Sequence, residues 1–482
     1  MKQAAVLMRG RLLVNGASIF GGEVIARLAT ALMALVVARY FGPDSLGNYG
    51  YALALTSVLL IVPDFGLHLF AVREISSSPH RISEIFWGVH WLKLGLSGAV
   101  ALAAVLIGEW GIADTERRLL FYILIVRMFL QTFSQATMAV FKAFERMQYV
   151  ALQQFVNSSV VVVWVVVCLA FEVRLTVTVA GFMAGQAVEV CMGWMILRHL
   201  RPAPRFMMWD KAALGRIAIA CFPIGLTAVL LALNLRIDIF VLGRYVSSGV
   251  LGQFNAAVWF VIATFLAASL LMSVLFPKLS RVLSEPSPQG GDYVSSLVKN
   301  ALLISAAGSL VVWLWAPSLL NLFFGPDFAP AAHSLRILAP ALPLVFLNTI
   351  FFYVFAAARR RFVCLGTLVV GILAGTLLSL YLTARYGATG AATADVAREL
   401  AMGTVYLFFL IQGNHARIAG LRLIKVFAGA TVLMVMAALL AGPFHIQVMW
   451  IAAWMIFVLT GALAVLGFPR AGEWRLLTDD RL

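Results

Sequence analysis

Apolar runs of about twenty residues recur along the chain from Asn15 to Phe468, separated by short polar connections. Each matches the ~20 residues a helix needs to cross a hydrocarbon layer ~30 Å thick. About fourteen are present, at 16–38, 46–68, 85–107, 119–141, 150–171, 175–197, 217–241, 249–275, 300–323, 334–357, 362–384, 388–411, 424–442 and 447–468. The first contains Glu23 and Arg27, is too long for a signal-peptide core and is followed by no small-residue cleavage site. It therefore reads as a retained helix. The pattern predicts an all-α polytopic membrane protein. Of the two longest polar connections, Arg198–Arg216 and Lys278–Lys299, the first has six spans before it. This divides the chain into a six-helix bundle at 1–200, a second at 201–416, and two additional spans with a tail at 417–482.

An internal repeat supports that division. Residues 34–52 align with 239–257, with identities at Val36/Val241, Arg39/Arg244, Tyr40/Tyr245, Leu46/Leu251, Gly47/Gly252 and Ala52/Ala257. Tyr49/Phe254 is a conservative pair. Apolar bias does not explain the shared Arg-Tyr and Leu-Gly. An offset of six spans preserves orientation, so the two bundles are expected to be pseudo-symmetric about an axis along the membrane normal.

Composition agrees with the pattern: 62% of residues are hydrophobic and 12% charged, unlike a soluble domain. The net charge of +15 invites a nucleic-acid reading, but its distribution does not. When connections are assigned alternately to two sides, 24 of the 36 Lys and Arg residues fall on the side of the N-terminus, six on the other and six within spans. This is a positive-inside bias that puts both termini in the cytoplasm and directs the basic surplus to lipid rather than to nucleic acid. Cys168, Cys191, Cys221 and Cys364 all lie in spans without ligand spacing and read as small apolar residues. The chain carries no Walker-type phosphate loop, metal motif or nucleophile–base constellation, so neither a cofactor, a metal nor an enzymatic activity is expected. The seven histidines are scattered, mostly at span ends, and read as interfacial.

The six intramembrane cations are Arg27, Lys93, Arg127, Arg236, Arg336 and Arg398. A charge near the bilayer centre costs roughly 2.5–3.5 kcal/mol on insertion scales and normally faces protein or a wet cavity. Lys93, in the inner third of its span, and Arg236 and Arg336, in the outer third, can snorkel to an interface. Arg27, Arg127 and Arg398 are deeper. Glu23 and Arg27 share a helix face at i, i+4. Arg398 follows Asp395 by three and precedes Glu399. Arg127 has no acid nearby in its own span and continues into a stripe with Gln131 and Gln135, which makes it the foremost candidate for an anion contact. Arg236 and Asp238 share a direction only if their helix is irregular. Glu23, Asp64, Asp238 and Glu189 are candidate sites for a coupling proton or sodium ion.

Short motifs in order along the chain resemble a known family. They are Asn15–Ser18, Gly22, Ala38–Pro43, Leu46–Tyr49, Asp64–Leu67 with Arg73–Glu74, Phe222–Pro223, Asp238–Gly243 before Leu251–Gly252, Phe276–Lys278, and Phe324–Phe328 with Ala331–Ala332. Together they resemble bacterial polysaccharide-unit flippases, the O-antigen or Wzx-like transporters, which are related to multidrug and lipid-linked-oligosaccharide exporters. The resemblance implies fourteen spans in two six-helix bundles plus two helices, and alternating access in a bacterial inner membrane. It implies an undecaprenyl-pyrophosphate-linked oligosaccharide as substrate, membrane lipids around it, and a polymerase and chain-length regulator of the same surface-polysaccharide pathway as partners. Arginine suits a pyrophosphate through paired donors. On that basis Arg27, Arg127, Arg236 and Arg398, with Gln131 and Gln135, are the expected substrate contacts. The alternative is a cation-coupled multidrug antiporter of the same superfamily, whose site would be dominated by carboxylates. A membrane-embedded glycosyltransferase or polymerase would need a longer outer loop than any present.

Overall fold

The computed structural model describes residues 21–22, 25–200, 204–208, 211–284 and 288–412. Glu23, the Asn15–Ser18 motif, the expected spans 424–442 and 447–468 and the whole 417–482 segment lie outside the described residues. The described chain is helical. Its helices group into two compact units that divide between Arg236 and Ile237.

In the first unit, α1 (25–36) runs through a π-helical turn, Val37–Phe41, into α2 (Gly42–Leu59). The short α3 (Ile61–Asp64) and α4 (Leu67–Ser77) continue the same path. Then come α5 (Ile82–Gly111), α6 (Thr115–Ala143), α7 (Met147–Ala170), α8 (Leu175–Val179), α9 (Gly181–His199) and α10 (Lys211–Asn234). The second unit holds α11 (Ile237–Tyr245), α12 (Ser248–Ser284), α13 (Pro288–Leu314), α14 (Ala316–Phe323), α15 (Ala331–Leu338), α16 (Ala341–Ala357) and α17 (Arg361–Gln412).

Two apolar segments are too long for one crossing. Ile25–Ser77 has 53 residues and Arg361–Leu410 has 50, each ~75–80 Å at 1.5 Å per residue. Glycines in the left-handed half of φ break both: Gly42 at φ 80°, followed by Pro43, and Gly387 at φ 58°. Among the described residues nine helices are long and apolar enough to span, and the bent pair α15–α16 makes ten. Counting each over-long segment as two accounts for the first twelve spans expected from the sequence.

Each unit is built around its fourth span. In the first unit α2, α4, α5, α7 and α9 all pack on α6. In the second, α12, α13 and α17 pack on α16, whose residues from Ala341 to Phe351 are all buried. A helix apolar on every face belongs in such a position. The repeat is preserved in environment: Leu46, Tyr49 and Ala52, and their counterparts Leu251, Phe254 and Ala257, are all 0% exposed. Their shared Arg-Tyr pairs, Arg39–Tyr40 and Arg244–Tyr245, are exposed. By packing, α10 joins the first unit, against α3, α4 and α5.

The second span is itself broken. Phe65 (φ 30°) and Gly66 (φ 78°) turn the chain between α3 and α4. The left-handed region costs a non-glycine residue roughly 1–2 kcal/mol. The break fits against α10 beside Pro223, which stands inside that helix. The Phe65 and Phe222 rings lie 5.9 Å apart, and a Cβ on Gly66 would fall 2.9 Å from the Ile224 side chain. Two motifs that are far apart in the chain, Asp64–Leu67 and Phe222–Pro223, are thus each other's contact. Gly66→Ala should therefore lower stability by about 2 kcal/mol or more. A fall in the unfolding temperature of the purified protein, with Gly95→Ala unchanged as the control, checks this.

Candidate functional site

Three buried polar clusters hold most of the predicted site residues. The first surrounds Tyr49 on α2, which is fully buried and whose hydroxyl has no hydrogen-bond partner. Arg127 and Arg236 both lie within electrostatic range of that hydroxyl. Arg127 sits about 18 Å along α6, with its guanidinium over the Phe182 ring of α9 at 4.4 Å. Its Nε is buried without a hydrogen-bond partner. Stacking on an aromatic face leaves the edge donors of a guanidinium available. Gln131, one turn on, is half-buried. Arg236 falls in the turn between α10 and α11, so the helix is irregular there and Asp238 belongs to the next unit.

Glu189 interacts electrostatically with Arg127. It lies on a face of α9 that reads Gly181, Gly185, Glu189, Gly193, a small residue at nearly every fourth position. That face lets α7 approach closely: the three glycines abut Trp164, Asn157 and Gln153. The carboxylate is met by neutral amides. Asn157 Nδ2 donates to Oε2, Gln186 Nε2 donates to the same oxygen at 3.0 Å, and Gln153 Nε2 donates to the Glu189 carbonyl at 3.2 Å.

The second cluster sits at the break in the second span. Lys93 Nζ donates to Asp64 Oδ1 at 2.6 Å and to Gln135 Oε1 at 2.8 Å. Lys93 is 1% exposed. The sequence led us to expect that it snorkels to an interface, and it does not: its partners lie on neighbouring helices. His68 Nδ1 contacts the Gln135 carbonyl at 3.2 Å, and Lys142 Nζ lies 3.1 Å from His68 Nε2. Both contacts are satisfied by a neutral imidazole with its proton on Nδ1. Asp64 and Gln135, predicted for different roles, therefore share one lysine.

The third cluster is in the second unit. Arg398 Nη1 lies 2.5 Å from Asp395 Oδ1, and Nη2 lies 3.3 Å from Glu399 Oε1. Asn348 Nδ2 on α16 donates to Glu399 Oε2 at 2.9 Å, and Asp238 on α11 is within electrostatic range of Arg398. All five residues are at most 4% exposed. A Cβ at Gly375 would lie 2.8 Å from Arg398 Cδ, so this glycine makes room for the arginine. Arg398 is thus committed to acids within its own helix. Arg27 is exposed on α1.

A family model for polysaccharide biosynthesis proteins matches residues 12–283, more than half of the chain. The chain belongs to that family. Solved structures agree on the fold of this family member at low identity. The lipid II flippase MurJ in an inward closed conformation aligns with a TM-score of 0.70 at 13% identity, covering 95% of this chain and 100% of that one. A multidrug resistance MATE transporter of the MOP superfamily, inward-facing, aligns at 0.66 and 15% identity over 84% and 96%. A MOP superfamily transporter from Pyrococcus furiosus, described as having a binding pocket of reverse polarity, aligns at 0.58 and 14% over 87% and 96%. A search of curated protein sequences found no match. The family member is a multi-pass membrane protein, and the named structural relatives are transporters rather than enzymes.

Sequence reasoning did not find Tyr49, Phe182, Asn348 or the Lys93 pair as parts of these clusters. Tyr49 carried a signal, its place in the repeat. The others depend on contacts between helices distant in sequence. Removing one partner of a buried ion pair costs about 3–5 kcal/mol. Arg398→Ala should therefore lose most of its folded yield, while Arg127→Ala, whose cation has no close carboxylate on it, should purify at near wild-type yield. Size-exclusion profiles and unfolding temperatures of the two variants check this contrast.

Proposed function

We propose that this protein is a flippase that moves polyprenyl-pyrophosphate-linked oligosaccharide units from the cytoplasmic to the outer leaflet of a bacterial inner membrane by alternating access of its two bundles. The observation that carries the reading is the Arg127 guanidinium. It is half-buried, stacked on Phe182, and its buried Nε lacks a partner, with Arg236 near the same tyrosine. An arginine left this way in a low-dielectric unit, with a second arginine near the same tyrosine, favours an anionic ligand over a cationic drug. Lys93 and Arg398 are neutralised by their own acids and serve the fold; Arg127 and Arg236, with Gln131 alongside, serve the pyrophosphate. The sugar is too polar to cross unaided, and the tail stays in the bilayer while the head passes. The six-plus-six grouping of spans, both termini in the cytoplasm and a polymerase working downstream complete this reading.

Losing one charge-assisted contact of ~1.5–3 kcal/mol lowers affinity about ten- to hundredfold. Arg127→Ala is expected to cut surface polymer by about that factor, with lipid-linked units accumulating in the inner leaflet, and Arg127→Lys to retain a part. Polymer blotting with mass spectrometry of the lipid extract measures both. Unchanged polymer in Arg127→Ala, with altered drug resistance in a sensitised strain, would overturn the reading in favour of a drug antiporter.

A further inference from the structure

We infer that the Tyr49 hydroxyl donates a hydrogen bond to a phosphoryl oxygen of the transported head group, beside Arg127. This rests on the transport reading above and adds a contact that the reading does not contain.

The sequence repeat shows that the fold does not need this hydroxyl. Phe254 takes the place of Tyr49 in the second unit, and both rings are 0% exposed. A plain phenyl ring therefore satisfies the packing of this position. The hydroxyl is an addition in the first unit, and Tyr49 Oη has no hydrogen-bond partner. A buried hydroxyl left unmet costs free energy, and a buried tyrosine usually finds a partner for it. Among the described residues Tyr406 is also 0% exposed with an unmet hydroxyl. Charge separates the two. Tyr406 lies within electrostatic range of Glu399, whereas Tyr49 lies within range of Arg127 and Arg236.

The groups around Tyr49 select the kind of ligand. Arg127 presents a second unmet donor, its buried Nε, while Phe182 covers the face of its guanidinium. Glu189, the carboxylate that interacts with Arg127, is taken up by Asn157 and Gln186. A tyrosine hydroxyl has one proton to give, and a guanidinium has donors only. An oxyanion accepts from both, and a cation is repelled by the arginines. A hydroxyl also adds a directional contact without a further buried charge that would need an answer when no ligand is bound.

The helix that carries Tyr49 is fastened to the helix that carries Arg127. Asn48, the preceding residue, is 4% exposed. Its Nδ2 donates to Glu116 Oε2 at 3.0 Å, and Arg117 Nε donates to its Oδ1 at 3.1 Å. The Arg117 guanidinium also lies over the Tyr51 ring at 4.8 Å. Glu116 and Arg117 belong to the first turn of α6, so these contacts tie α2 to α6. Donors carried on helices that are already fixed lose less freedom on binding.

The full chain is purified and its binding read by native mass spectrometry. Undecaprenyl pyrophosphate is the lipid-borne probe, inorganic pyrophosphate the free competitor and undecaprenol the neutral control. Tyr49→Phe should weaken undecaprenyl pyrophosphate about tenfold, with undecaprenol binding and the unfolding temperature unchanged. Arg127→Ala should weaken the same probe. The double variant should lose less than the product of the two single losses, because both donors serve one group. Competition by inorganic pyrophosphate that weakens in Tyr49→Phe supports a contact to the phosphoryl group alone; a loss seen only with the lipid-borne probe supports one that also needs the tail. Unchanged binding in Tyr49→Phe alongside a loss in Arg127→Ala overturns this inference and leaves the transport reading standing. Unchanged binding in Arg127→Ala overturns both. A loss shared by undecaprenol, or single losses that multiply in full, would also overturn the shared contact.

Discussion

A charge buried in hydrocarbon must be answered by another group within a few ångströms, and the arrangement of both units follows from how this chain answers three of them. Lys93 and Arg398 are met by carboxylates on their doorstep, Asp64 for one and Asp395 with Glu399 for the other. Arg127 is met by an aromatic face, with Glu189 held back by amides from α7 and α9. The cost of a lone ion in a medium of low dielectric is several kcal/mol, so the first two cations fix helix positions firmly. The third is stabilised through its face, which leaves donors at its edge. The same residue type in the same depth of membrane therefore takes on different jobs according to its neighbours.

The central helices make these pairings possible. A helix packed against α2, α4, α5, α7, α8 and α9 must present suitable groups to its neighbours, and α6 does so. It offers Gln135 toward α5, Arg127 toward α9, Ser134 toward Gln186 and Thr137 toward Gln153. The counterpart α16 is almost wholly apolar, with Asn348 as its polar contribution to the Arg398 cluster. The sequence repeat keeps its environment in both units, with matched burial of Leu46/Leu251, Tyr49/Phe254 and Ala52/Ala257. Their polar content nevertheless differs. The first unit keeps an underpartnered cation, whereas in the second a single arginine is surrounded by acids.

Much of the fold was legible in the sequence because crossing a membrane imposes a length and a polarity that are read locally. The repeat was legible because it preserved order along the chain. Pro223 stands inside α10, which runs through it from Lys211 to Asn234, whereas the break at Phe65 and Gly66 carried no such mark. What that break touches was not legible either. Asp64 is 29 residues from Lys93 and far from Phe222, and no local period encodes that distance. For Arg398 the reading of nearby acids succeeded because its partners are three residues before it and one after it. For Arg127 the absence of an acid in its own span was correctly read, but the aromatic beneath it, Phe182, comes from another helix. Local pairs are visible in a sequence, and pairs between helices are not.

The contrast between Arg127 and Lys93 follows from what stands next to each. Arg127 is on α6 and Lys93 on α5 beside it, with Gln131 and Gln135 continuing the Arg127 stripe and Gln135 reaching Lys93. The Lys93 ammonium is matched by Asp64 at 2.6 Å, so its field is largely cancelled a short distance away. The Arg127 guanidinium is matched by the face of Phe182, which leaves its Nε without a hydrogen-bond partner, so its field is not cancelled at contact distance.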